Sequence, residues 1–220
     1  QHAQFCGVMT SSEMLSRFFI NDTSTASQNW RLKRHGVTAF WDWMASWCRM
    51  AAMPSDLGDK DDGFVLPPMQ VHRHTVASKL KAPEGDLFAS DVVSATNMHD
   101  VKRQTAGERA GIAAQLAASN DAPWVVWVDT DYEASAVLER LRGMRGVVEV
   151  RGSMSIEAKE SALDAFADGS ARVLITKPSI AGFGLNWQHC ANIAFVGVTD
   201  SWESYYQAVR RCWRFGQTRD

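Results

Sequence analysis

The chain of 220 residues is 45% hydrophobic and 22% charged, with a formal net charge of −2. This composition is typical of a globular protein with a sizeable core. It excludes an overall basic field, so any contact with nucleic acid has to come from a local patch. The four cysteines are scattered without a C-x-x-C pair, and no uncharged apolar run is long enough to span a bilayer. We therefore expect no bound metal in this chain and no contact with a membrane.

The two ends of the chain have the pattern of the interior of a fold. The first residue is Gln1 rather than Met, and Asp220 follows directly on an arginine-rich segment. We therefore expect the chain to be a fragment of a longer protein.

Residues 1–62 have the pattern of a helical, aromatic-rich segment. Ser11 can cap a helix that continues to Phe19, and a second helix begins near Thr38. Four tryptophans lie between positions 30 and 47. They could form a platform for base stacking, but tryptophans at helical spacing more often belong to a core.

The second predicted domain, residues 63–220, opens with a proline pair and a segment over 69–76 in which apolar and polar residues alternate. The alternation predicts an edge strand. His72 and His74 would lie on one face of this strand, and without further ligands they are a surface feature. Residues 79–91 are predicted to be a loop.

From residue 97 onward, helices alternate with short apolar strands. In chain order the sequence predicts a helix over 97–120, a strand over 124–128, a helix over 132–142, a strand over 147–150, a helix over 156–166, strands over 173–176 and 193–196, and a helix over 202–213. This order predicts an α/β fold with a parallel sheet flanked by helices. Ligands of such sheets bind at the carboxyl ends of the strands.

The final predicted helix is rich in arginine. Arg211 and Arg214 lie three residues apart and Gln207 lies one turn earlier, so all three would share one face of a helix. Two guanidinium groups on one face can bind a triphosphate and neutralise the charge that develops during phosphoryl transfer. The alternative is a basic, solvated helix end that the helix dipole stabilises. Spacing alone leaves both interpretations open.

The segment from Thr176 to Asn186 follows a predicted buried strand and contains two glycines, a lysine and small hydroxyl side chains. Glycine lets the backbone approach a phosphate closely, and free amide groups in such a loop can bind one. A lone G-x-G pattern is weak evidence for a phosphate site, because many loops need glycine for other reasons. Its position at a strand end, before the arginine segment, favours a phosphate site.

Together these two segments resemble a known family. The pattern Q-x-x-x-R-x-x-R-x-G-Q that begins at Gln207 resembles motif VI of superfamily-two helicases, and it is similar to that of the Snf-type translocases. The pattern G-x-G-L-N that begins at Gly182 is similar to their motif V. Helicases encoded by bacteriophages are similar over Pro54 to Pro68. Arg210 departs from the Snf-type pattern, which often has an aspartate there.

The resemblance implies that residues 63–220 are a second, C-terminal RecA-like lobe with motifs IV to VI, and that residues 1–62 are the end of lobe one or an insertion. It implies ATP as the cofactor, with Mg²⁺ held by the missing first lobe, which becomes a partner of this chain. The implied site residues are Arg211 and Arg214 as catalytic arginine fingers, Gln207, Gly182, Gly184 and Asn186 for nucleotide binding, and Thr176, Lys177 and Ser179 for contact with nucleic acid. DNA is the expected nucleic acid.

The sequence contains no G-x-x-x-x-G-K-[ST] phosphate loop and no D-E-x-[DH] box. Enzyme activity of this fragment alone therefore stays open, whereas the full-length protein is expected to be an ATP-hydrolysing helicase in the cytoplasm of a bacterial or virus-infected bacterial cell. The alternative is a non-catalytic RecA-like module that binds nucleic acid or a protein. A nucleotide-dependent oxidoreductase is disfavoured because the G-x-G-x-x-G turn is missing.

Overall fold

A computed structural model of the chain describes residues 1–22, 29–77 and 95–219. The contacts divide the chain into two units, Gln1–Asp61 and Asp62–Asp220. The predicted loop over 79–91 lies outside the described residues. The assignment of the two parts to a first and a second lobe stays a prediction.

The first unit combines helices with a pair of strands. Its elements are the helices α1 (His2–Phe5), α2 (Ser11–Phe18) and α3 (Val37–Trp47) and the antiparallel strands β1 (Phe19–Asp22) and β2 (Asn29–Leu32). Thr10, rather than Ser11, caps α2. Phe19 was predicted to continue the helix but begins β1 and pairs with Leu32. Local spacing missed this strand because its partner lies further along the chain.

Aromatic side chains form the packed part of this unit. The ring of Phe18, which is 2% exposed, lies 5.3 Å from the ring of Phe40 and 5.2 Å from that of Trp43. Trp30 and Trp41 are exposed. Trp43 and Trp47 are half-buried, so the interpretation of the four tryptophans as core residues is wrong for Trp30 and Trp41 and holds only in part for the other two.

The second unit contains one parallel sheet with helices around it. Its elements are the helices α4 (Ala95–Ala118), α5 (Asp131–Arg140), α6 (Ile156–Ala167), α7 (Pro178–Ala181) and α8 (Trp202–Val209) and the strands β3 (Trp124–Trp127), β4 (Val147–Val150), β5 (Val173–Thr176) and β6 (Asn192–Phe195). The strand order is β4-β5-β3-β6, with all neighbours parallel. The predicted α/β fold, a parallel sheet flanked by helices and preceded by a helical segment, is confirmed.

The predicted edge strand over 69–76 is wrong. These residues have no regular secondary structure, and no described strand pairs with them. His72 and His74 are exposed. Alternation of apolar and polar side chains does not make a strand unless a neighbouring backbone supplies the hydrogen bonds.

The core lies on both faces of the two central strands, β3 and β5, whose residues are all buried. Val126 and Ile175 pack towards α4 and α5, whereas Trp127 and Leu174 pack on the other face with Phe166. The buried residues of α4 include the alanines Ala106, Ala110, Ala113, Ala114 and Ala117. Such small side chains let a helix lie close to its neighbours. Each buried aliphatic side chain contributes about 1.5–3 kcal/mol.

A buried ion pair joins α4 and α5 at the carboxyl ends of the strands. Glu133 is 0% exposed, and Arg109 Nη1 donates to its Oε1 at 2.7 Å. The other oxygen, Oε2, accepts hydrogen bonds from the N–H groups of Asp129 at 2.9 Å and Thr130 at 3.1 Å. Arg109 also donates to the carbonyl of Val196, directly after β6. The pair therefore connects two helices with the ends of two strands.

We expect Arg109→Met to lower the free energy of unfolding by about 3–5 kcal/mol, because it leaves the Glu133 carboxylate buried without its ionic partner. Urea unfolding of the chain measures this loss. Arg103→Met, at an exposed position of the same helix, is the control and should cost less than about 1 kcal/mol. Adding Glu133→Gln to Arg109→Met should restore part of the stability. Equal losses in the two methionine variants would contradict the assignment.

Candidate nucleotide and nucleic-acid interface

Residues 210–216, which we call the arginine turn, form a tight turn after α8 and do not continue the helix. The helix ends at Val209, so the predicted helix to residue 213 is too long. The N–H groups of Arg211 and Cys212 bond to carbonyls three residues earlier, both at 3.2 Å, which is the tighter pattern of a 3₁₀ turn. The carbonyl of Arg211 accepts the N–H of Trp187 at 2.8 Å. This bond from a distant part of the chain takes up a carbonyl that a longer helix would use.

The guanidinium groups of Arg211 and Arg214 meet at one carbonyl oxygen. Nη1 of Arg211 donates to the Leu185 carbonyl at 3.0 Å, and Nη1 of Arg214 donates to the same oxygen at 3.3 Å. Gln207 accepts two further hydrogen bonds from Arg211, one at its backbone carbonyl and one at Oε1, both at 3.0 Å. The structure therefore brings these three predicted site residues together, although not by a shared helical face.

Arg211 is held below the surface, with 8% of it exposed. Burial lowers the pKa of Arg211 from its ordinary value, and the positive charge of Arg214 lowers it further. An arginine nevertheless stays charged in a protein, because its pKa lies so high. Two positive groups thus lie next to each other and share one neutral acceptor, which favours the approach of an anion.

Backbone geometry accounts for both glycines of the loop after α7. The N–H of Gly182 donates to the Pro178 carbonyl at 2.8 Å, and a Cβ at this position would overlap the same oxygen. Gly184 has a φ of +77°, in the left-handed region that favours glycine. Asn186 is exposed. The roles of these three residues in nucleotide binding stay predictions.

The three residues predicted to contact nucleic acid differ in how far their side chains are exposed to solvent. Thr176, the last residue of β5, is 1% exposed, and its hydroxyl donates to the Val150 carbonyl at 3.2 Å. The side chain is therefore enclosed by the fold in this structure, and the role of Thr176 in contact with nucleic acid stays a prediction. Lys177 Nζ lies 2.9 Å from Asp131 Oδ1, and this lysine lowers the pKa of Asp131. Ser179 is exposed.

Gln217 has a structural role that the motif did not reveal. Its side chain is 5% exposed, and Nε2 donates to the carbonyls of Gln188 and Cys190, both at 3.0 Å, and of Cys212 at 3.3 Å. These carbonyls belong to the loop before β6 and to the arginine turn. One amide group therefore fastens the two segments together. Its place inside the G-Q pattern was the only signal in the sequence.

The structure also explains Arg210, the departure from the Snf-type pattern. Its guanidinium lies 5.3 Å from the ring of Trp213, 5.5 Å from that of Phe215 and 6.0 Å from that of Tyr206. A cation over aromatic rings is stabilised by about 0.5–1 kcal/mol at an exposed site. An aspartate could not make these contacts.

The proline segment lies against the same turn. Trp213 Nε1 donates to the Pro67 carbonyl at 2.9 Å, and the ring of Phe64 lies 5.0 Å from that of Phe215. The proline segment is therefore attached to the arginine turn.

The described residues include side chains suited to the phosphates of ATP but no group of side chains suited to Mg²⁺. The guanidinium groups of Arg211 and Arg214 are suited to phosphate oxygens. In residues 1–22, 29–77 and 95–219, no three His, Cys, Asp or Glu side chains are grouped so that they could hold a metal ion. Over the same residues, no helix has the length and apolar character needed to cross a membrane.

Comparisons with known proteins agree with the motif pattern. Residues 111–216 match the helicase conserved C-terminal domain. This match covers the sheet, the loop after β5 and the arginine turn, and it supports the likeness to the C-terminal lobes of superfamily-two helicases. No curated protein matches the chain.

Solved structures of helicase lobes are similar in part. The C-terminal part of the Fun30 ATPase domain is 16% identical, with a TM-score of 0.43, over 50% of this chain and 36% of that one. The C-terminal domain of the DEAD-box protein Dbp5 is 17% identical, with a TM-score of 0.44, over 50% and 65%. S. cerevisiae Dbp5 bound to RNA and ADP BeF3 is 18% identical, with a TM-score of 0.45, over 50% and 30%. The chain thus spans less than two thirds of each of these structures.

We expect Gln217→Ala to lower the free energy of unfolding by about 1–3 kcal/mol, because buried carbonyls lose their donor. Gln115→Ala removes the same side chain from an exposed position of α4 and should change stability by less than about 0.5 kcal/mol. Chemical denaturation followed by tryptophan fluorescence measures both. Equal stability of the two variants would show that the Gln217 amide does not fasten the turn.

Proposed function

We propose that the chain is the C-terminal lobe of an ATP-dependent nucleic-acid helicase or translocase of the Snf-type and bacteriophage kind. It supplies arginine fingers and contacts to the nucleic acid. The observation that carries this proposal is the Leu185 carbonyl, which accepts hydrogen bonds from both Arg211 and Arg214. Through this oxygen the loop that resembles motif V is tied to the turn that resembles motif VI.

Arg211 and Arg214 are the residues that would hold the terminal phosphate, with Gln207 orienting Arg211. ATP, bound between this lobe and a first lobe that holds Mg²⁺, would supply the phosphoanhydride bond whose hydrolysis drives the motor. The two Nη1 donors that now bond to Leu185 are suited to phosphate oxygens, because a charged acceptor forms the stronger hydrogen bond. Exchange of this partner would free the loop over 182–186, and the state of the nucleotide would thereby reach the nucleic-acid contacts.

Lys177 and Ser179 are the proposed contacts with the nucleic-acid backbone. Both follow the carboxyl end of β5, the edge where parallel sheets bind ligands. Lys177 is paired with Asp131, which keeps its ammonium group at this edge. The proposed nucleic acid is DNA, and the proposed location is the cytoplasm of a bacterial or virus-infected bacterial cell.

In the full-length protein, Arg211→Ala or Arg214→Ala should lower the kcat of nucleic-acid-stimulated ATP hydrolysis by about 10³–10⁵-fold, the range known for arginine fingers. Nucleic-acid binding should change by less than about twofold, since neither arginine is a proposed backbone contact. Arg219→Ala, at an exposed arginine of the same segment, is the control and should keep its turnover. Because Arg211 also stabilises the loop, a thermal melt must accompany its variant. Normal ATP turnover in the Arg214→Ala protein would contradict the role of Arg214 as an arginine finger.

Binding of a single-stranded oligonucleotide to the chain should weaken as salt rises, because phosphate contacts release counterions. Lys177→Ala should reduce the slope of log K against log salt by about one. Lys60→Ala, with the same loss of charge at an exposed position in the first unit, should leave the slope unchanged. An unchanged slope in both variants would remove Lys177 from the interface.

The second candidate is a non-catalytic RecA-like module that binds nucleic acid or a protein. One observation favours it: Arg211 is 8% exposed, and its donors are occupied by Gln207 and Leu185. In this case both arginines are structural. Oligonucleotide binding by the chain that survives loss of both arginines, together with no nucleic-acid-stimulated ATP hydrolysis by the full-length protein, would support the module and oppose the motor.

A further inference from the structure

A pocket of about 610 Å³ lies at the amino ends of the strands, on the face of the sheet that α4 and α5 cover. Its walls come from the end of α4, from the connection between α5 and β4, and from the residue before β5. Four arginines line it, namely Arg140, Arg142, Arg145 and Arg172, together with the single acidic residue Asp121. We call this the arginine pocket.

The arginine pocket carries an excess of three positive charges in a chain whose formal net charge is −2. Among the described residues, the ion pairs are formed by other cations: Lys102, Arg109, Arg151 and Lys177. No described carboxylate thus neutralises the four arginines within ion-pair distance. Several like charges around one concave surface attract an anion and raise its local concentration.

Two of the four arginines are held in place by the fold. Arg172 Nη1 donates to the carbonyls of Ala117 at 2.9 Å and Ala122 at 3.1 Å, at the end of α4. Arg140 lies against α4 at Gly111, where a Cβ would overlap its Nη1. Glycine inside a helix costs about 1 kcal/mol relative to alanine. Its presence here makes room for the Arg140 guanidinium beside α4.

The other two arginines offer free donors. Arg142 and Arg145 are exposed, and within the described part of the chain their guanidinium groups make no hydrogen bond. They lie on the connection that leads into β4, beside the two fixed arginines. The pocket thus combines two arginines that the fold holds in place with two whose guanidinium groups are free to bind a ligand.

We propose that the arginine pocket binds a ligand with two or more neighbouring phosphate groups. Each planar guanidinium can bind a phosphate through two parallel hydrogen bonds. Neighbouring phosphates place several negative charges within one small volume, as the clustered arginines require, whereas the carboxylates of a peptide are spread over separate side chains. This site is separate from the arginine turn, because its Leu141 and Met144 pack in the cluster on the α4 and α5 face of the sheet, whereas Cys212 of the turn packs in the cluster on the other face.

The test uses the 220-residue chain and inorganic tripolyphosphate as the probe, with isothermal titration calorimetry at low salt. Arg142→Ala combined with Arg145→Ala should weaken binding by about tenfold or more, because two charge-assisted contacts are lost. The control combines Arg73→Ala with Arg103→Ala, two exposed arginines outside the pocket with the same change of charge. It should stay within about twofold of the natural chain. Thermal melts confirm that all variants fold.

A second titration with a labelled single-stranded oligonucleotide separates the two sources of phosphate. Weaker binding of both probes by the pocket variant supports a site for a nucleic-acid backbone. Weaker binding of tripolyphosphate alone supports a site for a free polyphosphate. Tripolyphosphate binding that is unchanged in the pocket variant, or reduced equally in the control, overturns the proposal, since the anion then binds elsewhere or by net charge only.

Discussion

The central strands β3 and β5 are buried on both faces, and this burial dictates where the polar groups of the second unit lie. Charged side chains have to lie at the strand ends, and those drawn below the surface need partners, because an unpaired buried charge costs several kcal/mol. Glu133 meets this requirement with Arg109 and two backbone N–H groups. Since Arg109 also reaches the end of β6, one ion pair holds two helices and two strand ends together.

The same requirement shapes the arginine turn. The loop before β6 has little regular structure, so its carbonyls need donors from elsewhere. Arg211 supplies one to Leu185, and Gln217 supplies donors to Gln188 and Cys190. The residues that stabilise the loop are thus the residues that resemble motif VI. Any ligand that competes for Arg211 acts at the same time on the loop, and this gives the proposed link between nucleotide and nucleic acid a physical basis.

The two ends of the sheet differ in how their charges are balanced. At the carboxyl ends, cations and anions are paired, as in Lys177 with Asp131 and Lys102 with Asp129. At the amino ends, the arginine pocket has one acidic side chain among four arginines. A chain with a small negative net charge can therefore still present a strongly positive local surface, because distribution rather than net charge sets the local field.

The sequence by itself determined the positions of the four strands: β4 and β5 have the predicted bounds, and β3 and β6 differ by one residue. The signal was strongest for β3 and β5, because strands buried on both faces need almost continuous apolar runs. It also determined which segments carry arginine and glycine. Only the tertiary structure decided the β1–β2 pairing, the end of α8 at Val209 and the meeting of Arg211 with Leu185. Local patterns report the burial of a residue, whereas a hydrogen-bond partner distant in sequence is chosen by the fold.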